Sequence, residues 1–536
     1  MRDNQRVFVF LAALGIVFFL LLGRLFELQI IRGEKNKALA EGNRIRQVVI
    51  PSPRGIILDR NDLPLVQNVP VFRQAVKDET GAVVSWQLVD RLAMLNLEAV
   101  GKTDQLRQDV GRKYLYPESL SHLLGYLGEV DQEEVTTGNY RLGDLVGRGG
   151  IEQQYDWLLR GQPGGKLIET DANGSQIKVI SEVEPQPGRQ LKLSIDAKLS
   201  QKIYQLLDHQ KGAVVVSLAK SGYILALVSS PAFDANLLTN LTFDKSGNDQ
   251  AEKILLDENL PLFNRTIGAN YPPGSTFKIV TSVAGIEEGK VDRQTVYEDT
   301  GRIEVNDFVY RNWYFTQYGR VEGKIDLITA LKRSTDTFFY KLGEWIGAEK
   351  LAFWARQFNL GQKTGIDLPG EVSGLVLDPK SKKETRGESW FLGNTYHLAI
   401  GQGFLLTTPL QVNTMTSAIA TNGKLCLPKV NLAQQIDCRD LRLKEETLTL
   451  VKKGLEEVTA PGGTAYAFFD YQPKVAGKTG TAEFGDLDDQ THAWFTAYAP
   501  ANEAEIVVTV VLESAGEGSE KAAPIAKEIF DFWFQK

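Results

Sequence analysis

Cysteine, histidine and methionine are scarce in this 536-residue chain, at two, four and three copies. The histidines, His122, His209, His397 and His492, are scattered, so the sequence offers no metal-ligand cluster and no obvious histidine base. Neither a metal nor a cofactor is expected. Cys426 and Cys438 stay open to two readings, a disulfide in an oxidising compartment or two buried thiols. Excess positive charge is missing too. The net charge is −7 with the signs interspersed, and without a basic stripe nucleic acid is excluded as an expected partner.

What is present is more telling. The length exceeds one ordinary domain, so two or more globular parts are expected. Residues 7–23 form an uncharged apolar run, about 26 Å as a helix, which the apolar residues among 25–31 extend to a full span. Arg2 and Arg6 precede it, and the positive-inside rule then puts residues 1–6 in the cytoplasm. No small-residue cleavage site follows, which predicts an uncleaved anchor at 7–31 rather than a removed signal peptide. Everything beyond about residue 32 would lie outside the membrane.

Residues 34–43 have helical spacing and suit a short stalk. Two β-rich runs, 44–50 and 56–60, flank Pro51-Ser52-Pro53-Arg54-Gly55 and predict strands paired with each other. Residues 72–112 read as one short strand plus helix-like spacing around 86–97. After Gly147-Arg148-Gly149-Gly150 a helix is predicted over 151–159, with Ile151, Tyr155, Leu158 and Leu159 as its buried stripe. Glu152 on that helix is expected to fix an interdomain contact rather than to act as a catalyst.

A second domain is predicted from about Leu191. It has a strand at 191–196, a helix at 197–209, a hairpin of 212–218 with 223–228, and helices from 275 to about 420. Strands return at 474–478, 492–498 and 505–513, followed by an amphipathic helix at 522–534. Strands at both ends around a helical middle predict an α+β domain whose terminal segments share one antiparallel sheet.

The chemistry gathers at Tyr271-Pro272-Pro273-Gly274-Ser275-Thr276-Phe277-Lys278. A rigid turn opens a helix at about Ser275, so Ser275 and Lys278 share a face, close enough for the amine to take the hydroxyl proton. Ser-x-x-Lys alone says little, since roughly two chance matches are expected in such a length. Ser175 with Lys178 lies in a turn-rich run. Ser217 with Lys220 ends a strand, where residues three apart point to opposite faces. Two more motifs follow Ser275. Ser334-Thr335-Asp336 places a hydroxyl that would relay a proton and a carboxylate that would hold the lysine or a substrate amide, the plain alternative being a helix cap. Ser246-Gly247-Asn248 fits the same loose pattern but reads as a solvated turn. Lys478-Thr479-Gly480-Thr481 sits on an apparent strand whose antiparallel partner would be 492–498, and it suits recognition of a substrate carboxylate. A copy at Lys363-Thr364-Gly365 lies in a Gly- and Pro-rich connection.

This order of motifs resembles the penicilloyl serine transferases, the penicillin-binding proteins and serine β-lactamases. The flanking residues, with Ile400-Gly401-Gln402-Gly403, Pro53-Arg54-Gly55-Ile56-Ile57-Leu58-Asp59-Arg60 and His122-Leu123-Leu124-Gly125-Tyr126-Leu127-Gly128, resemble a class B penicillin-binding protein over nearly the whole chain. Within that class it is most similar to the cell-elongation type, penicillin-binding protein 2, by Asp336 and by the run from Asn312-Trp313 to Gly319-Arg320-Val321. The resemblance implies a single membrane anchor in the cell (inner) membrane, a β-rich pedestal at 32–190 and an extracytoplasmic transpeptidase domain at 191–536 with an all-helical subdomain. It implies D,D-transpeptidation of peptidoglycan stem peptides, with Ser275 as nucleophile, Lys278 as base and Ser334 as proton relay. Asp336, Lys478, Thr479, Gly480 and Thr481 would bind substrate, the N–H groups of Ser275 and Thr481 would hold the oxyanion, and β-lactams would acylate the serine. The implied partner is a multi-spanning glycosyltransferase of the shape, elongation, division and sporulation family. Alternatives are a division-type transpeptidase, a carboxypeptidase or β-lactamase, and a scaffold that activates the glycosyltransferase. One departure stands out: the segment between Val71 and Tyr114 is short beside the head lobes usual in the family, which bears on contacts that regulate a partner.

Overall fold

A computed structural model describes residues 2–535 apart from 36, 38–44, 78–82, 90, 103–104, 138–139, 142–143, 171–175, 241–244 and 485–489. Most of the stalk expected at 34–43 lies outside the described residues, as does Ser175. The chain opens with the helix Arg2–Phe26 and a π-helical turn, Glu27–Ile31. From Asn4 to Ile31 this is the one helix among the described residues long and apolar enough to cross a membrane, and its apolar side chains face outward with nothing packed on them.

Among the described residues the N-terminal half carries two larger sheets and a two-stranded one, Tyr126–Glu129 with Leu145–Arg148. Ile45–Ile50 pairs with Gly164–Thr170, which pairs with Gln176–Val183, while Ile57–Leu58 joins Pro64–Lys77, Val83–Val89, Leu106–Tyr114 and Leu191–Lys192. The two early strands are therefore not paired with each other as expected. Residues 51–56 run without a turn between them, so each strand reaches a different sheet. Residues 72–112 also differ from expectation: three strands meet there, and the helix is confined to Arg91–Ala99. β-branched and aromatic residues outweigh the helical spacing in 83–89. The helix expected over 151–159 breaks at Tyr155 into Gly150–Gln154 and Asp156–Leu159.

That break serves a buried charge cluster. Arg54 Nη2 donates to Glu152 Oε2 at 2.8 Å and to Asp156 Oδ1 at 2.9 Å, while Arg112 Nε donates to Glu152 Oε1 at 2.7 Å. Glu152 is fully buried, and paired guanidinium groups are what make an interior carboxylate tolerable. Its contacts tie elements of the N-terminal half to one another; they do not cross to the second half as expected.

Other side chains make that crossing. Tyr155 Oη donates to Asp367 Oδ2 at 2.7 Å, His122 Nε2 donates to Pro261 O at 2.7 Å, and Asn236 brackets the backbone of Tyr114 at 2.9 and 3.0 Å. One apolar cluster also runs through both halves, from Leu65, Tyr114 and Leu123 to Leu227, Ile366 and Leu410.

The second half carries a five-stranded antiparallel sheet in the order Ile224–Ser230, Gly212–Leu218, Ile506–Leu512, Thr491–Ala499, Ala476–Glu483. Both faces are covered, which is why Ala213-Val214-Val215-Val216 and Ile506-Val507-Val508 read as unbroken apolar runs rather than alternating ones. Ala213, Trp494 and Val507 face Val412 and Met415 of the helix Pro409–Ala420. Val214, Phe495 and Val508 face Leu199 and Ile203 of Ala197–Leu207 and Ile529 and Phe530 of Ala522–Phe534. The fold is α+β, with the sheet flanked by helices and a helical region inserted between its strands. Ser246-Gly247-Asn248, read as a turn, lies in the helix Lys245–Leu256. Cys426 and Cys438 form a disulfide, with S–S 2.08 Å, which resolves the two readings left open.

Candidate active site

Ser275 stands on a 3-10 turn, Gly274–Phe277, that leads into the helix Lys278–Glu287. The preceding prolines cannot continue a helix backwards, and three contacts fix the turn. Trp494 Nε1 donates to Pro272 O at 3.1 Å, Gly274 N to Gly401 O at 3.0 Å, and Tyr271 Oη to Glu513 Oε1 at 2.6 Å. Two glycines let the edge strand of the sheet approach. A Cβ on Gly274, whose φ is +53°, would lie 2.8 Å from Thr481 O, and one on Gly480 would lie 3.0 Å from both Thr276 Cγ2 and Trp494 Cβ. The serine turn and the Lys-Thr-Gly strand therefore form two walls of one cleft.

The third wall is the Ser-x-Asp motif. Ser334 ends the helix Leu327–Arg333 in the left-handed conformation, φ +55°, a strained position for a serine and one that turns its hydroxyl back toward the lysine. Asp336 then opens the helix Asp336–Ile346. Lys278 is fully buried, and Nζ donates to Ser334 O at 2.8 Å, Ser334 Oγ at 3.1 Å and Asp336 Oδ1 at 2.6 Å. All three ammonium protons thus have acceptors, and Ser275 Oγ is not among them. Burial pushes the Lys278 amine below its ordinary range, and the Asp336 carboxylate opposes that shift.

Lys478 is fully buried as well, its Nζ donating to Thr479 O at 3.1 Å. Burial, then the charge of Lys278, drive its pKa well down, with Asp336 again opposing. Strand alternation sends Thr479 and Thr481 to the other face. Thr479 Oγ1 is hydrogen-bonded to Thr464 Oγ1 at 2.7 Å, and Thr481 is exposed.

Ser275, Lys278, Ser334, Asp336, Lys478 and Thr481 are thus brought to one cleft, and two look-alike motifs that lie within the described residues are engaged elsewhere. Ser217 Oγ donates to Asn413 at 2.6 Å, and Lys220 pairs with Glu503 at 2.7 Å. Thr364 and Gly365 wrap the carboxylate of Glu371 at 2.6 to 2.9 Å.

The penicillin binding protein transpeptidase domain matches residues 212–531. The chain belongs to the penicillin-binding protein transpeptidases. The penicillin-binding protein dimerisation domain matches residues 84–193. The chain is 30% identical to peptidoglycan D,D-transpeptidase MrdA of Haemophilus influenzae, over 98% of this chain and 91% of that protein. Its structure is similar to penicillin-binding protein 2 in a complex with MreC from Helicobacter pylori, at 28% identity and TM-score 0.80 over 92% of this chain and 99% of that one. It is also similar to a chain of a peptidoglycan synthase complex studied for the coordination of polymerization and crosslinking, at 28% identity and TM-score 0.79 over 99% of both. It is therefore a class B penicillin-binding protein of the penicillin-binding protein 2 type.

Sequence reasoning missed part of the clamp on the site. Trp313 N donates to Asp336 Oδ2 at 3.3 Å, and Asn312 Oδ1 accepts from Asp336 N at 3.2 Å. In the sequence Asn312-Trp313 stands out only as a point of resemblance. Asn312 is buried just before the short helix Trp313–Tyr318, and nothing in the spacing of its neighbours marks it.

Proposed function

We propose that this chain is a membrane-anchored peptidoglycan D,D-transpeptidase of the elongation type that works through a serine acyl-enzyme. The observation that carries the mechanism is the buried Lys278 amine, held by Ser334 Oγ and Asp336 one helical turn from Ser275. In its neutral form Lys278 takes the Ser275 proton, and the alkoxide attacks the carbonyl between the two terminal D-alanines of a stem peptide. The N–H groups of Ser275 and Thr481 hold the oxyanion. Lys278 returns the proton through Ser334 to the departing D-alanine amine as the peptide bond breaks. Thr479 and Thr481, on the outer face of the edge strand, hold the terminal carboxylate with the buried Lys478 amine behind them, and Gly480 lets that strand lie against the serine turn. An amine of a second stem peptide then attacks the acyl-enzyme, forms the cross-link and frees Ser275. A β-lactam takes the donor's place and stays bound.

In this reading residues 1–6 are cytoplasmic, 7–31 cross the membrane, 32–190 form the pedestal and 191–536 the catalytic domain. The uncovered apolar helix Asn4–Ile31 supports the anchor. The likeness to chains from a peptidoglycan synthase complex and from a complex with MreC supports a partnership with the shape machinery, including a multi-spanning glycosyltransferase. The scaffold role is compatible with catalysis, and rescue of growth by Ser275→Ala would show it to suffice.

The test is intact-mass analysis of the full chain in detergent with benzylpenicillin, beside Ser275→Ala. We expect one penicilloyl adduct per wild-type chain and none on the variant. An adduct of equal yield on Ser275→Ala would overturn the assignment.

A further inference from the structure

Asp336 is gripped from a side that the acyl-transfer steps leave unused. While Oδ1 faces Lys278 Nζ at 2.6 Å, Oδ2 accepts from Trp313 N at 3.3 Å, and the Asp336 N–H donates to Asn312 Oδ1 at 3.2 Å. Asn312 is wholly buried; its N–H donates to Gly301 O at 2.8 Å and its Nδ2 to Asp299 Oδ2 at 3.4 Å. Asp299, buried too, accepts further from Gly301 N at 2.9 Å, Glu322 N at 2.8 Å and Thr337 Oγ1 at 2.6 Å. An interior carboxylate with four donors is held in one orientation. Asp299 closes both ends of the excursion 300–322 and ties it to Thr337, the residue beside Asp336.

We propose that Asn312 and Asp299 are positioning residues of the transpeptidase. The hydrogen-bonded series from the buried Asp299 and Asn312 to the half-buried Asp336 sets the Asp336 carboxylate against Lys278, and so couples the readiness of Ser275 to the seating of residues 300–322 on the helix Asp336–Ile346. The inference rests on the reading of Ser275 as nucleophile and Lys278 as base.

The coupling works through charge. Lys278 acts only when neutral, yet its three acceptors suit the ammonium form. The groups that face this pair are Lys478 from the edge strand, Tyr340 one turn along the helix from Asp336, and Asp299 across the excursion. Lys478 and burial favour the neutral amine, and Asp336 is the counterweight. If Asp336 is free to turn away, Lys278 gives up its proton at lower pH while its geometry toward Ser275 loosens.

The experiment measures the second-order rate of acylation by a fluorescent penicillin from pH 5.5 to 9.5, using the full chain in detergent, for wild type, Asn312→Ala and Asp299→Asn. We expect the maximum rate of Asn312→Ala to fall about tenfold and the rising limb of its pH profile to move about half a unit or more toward acid. Asp299→Asn, which keeps the shape, is expected to shift in the same direction by less, and it carries the test alone if Asn312→Ala does not fold. An equal fall at every pH, or a limb that moves toward alkali, would overturn the coupling. Ser275→Ala in the same assay separates the two readings: label retained there removes the nucleophile assignment, whereas label lost there with unshifted profiles removes only this inference.

Discussion

Two lysines share the centre of this protein, and one carboxylate, Asp336, stands against Lys278. Two ammonium groups in a dry interior repel strongly, so the pair favours a state in which one is neutral. His122 is a third buried base, and its proton economy is simpler. Burial depresses its pKa to about 4, and the hydrogen bond to Pro261 O requires the ring to carry its proton on Nε2. An unfolded histidine titrates near 6.5. Between pH 6.5 and 4 the unfolded chain therefore binds a proton that the folded chain does not, and stability falls as pH falls through that window. The full effect is roughly 3 kcal/mol. We expect His122→Gln, whose amide can still donate to Pro261 O, to lose less melting temperature between pH 7 and pH 4.5 than wild type. Equal losses in the two proteins would count against this account.

At the scale of elements, the edge strand Ala476–Glu483 depends on having no side chain at Gly480. Thr276 and Trp494 stand on either side of that position, each 3.0 Å from a built Cβ, and both belong to packed elements that cannot yield freely. Gly480→Ala is expected to cost about 1–3 kcal/mol and to slow acylation by at least tenfold, because the strand must move off the serine turn. Calorimetry with the penicillin rate measures both; a variant with wild-type acylation would show that the approach is not needed. Elements of this kind were the most legible in the sequence. The helix expected at 522–534 is found as Ala522–Phe534, and the partner expected for the Lys-Thr-Gly strand is Thr491–Ala499, since long apolar runs and amphipathic stripes state their own burial. Strand partners in the N-terminal half were not legible. Ile45–Ile50 meets a strand more than a hundred residues away, and nothing in its own residues names that partner. The motif residues Ser275, Lys278, Ser334 and Lys478 stand out in the sequence because reactive types recur at telling spacings, and the fold brings them together. Asn312 and Asp299 could not, because a hydrogen-bonded interior polar residue leaves no period in the chain.

The whole molecule depends on polar residues placed where its halves are assembled. Glu152 is central to the N-terminal half, and Glu152→Ala would leave Arg54 and Arg112 buried without their shared carboxylate. We expect a loss of about 3–5 kcal/mol, read as a lower urea midpoint, against less than 1 kcal/mol for an exposed glutamate such as Glu349 changed to alanine. A Glu152→Ala midpoint within error of wild type would contradict that ranking. The sheet order carries a consequence for the protein before it is finished. The strand that joins the two sides of the catalytic sheet, Ile506–Leu512, is made more than two hundred residues after Lys278. At about 5–20 residues per second, the nascent chain holds Ser275 and Lys278 for roughly ten to fifty seconds before the sheet beside them is complete. If Ser275 is the nucleophile, we expect a chain still in synthesis to take no label from a fluorescent penicillin and to become reactive only once Ile506–Leu512 has docked, which labelling of stalled chains of increasing length would check.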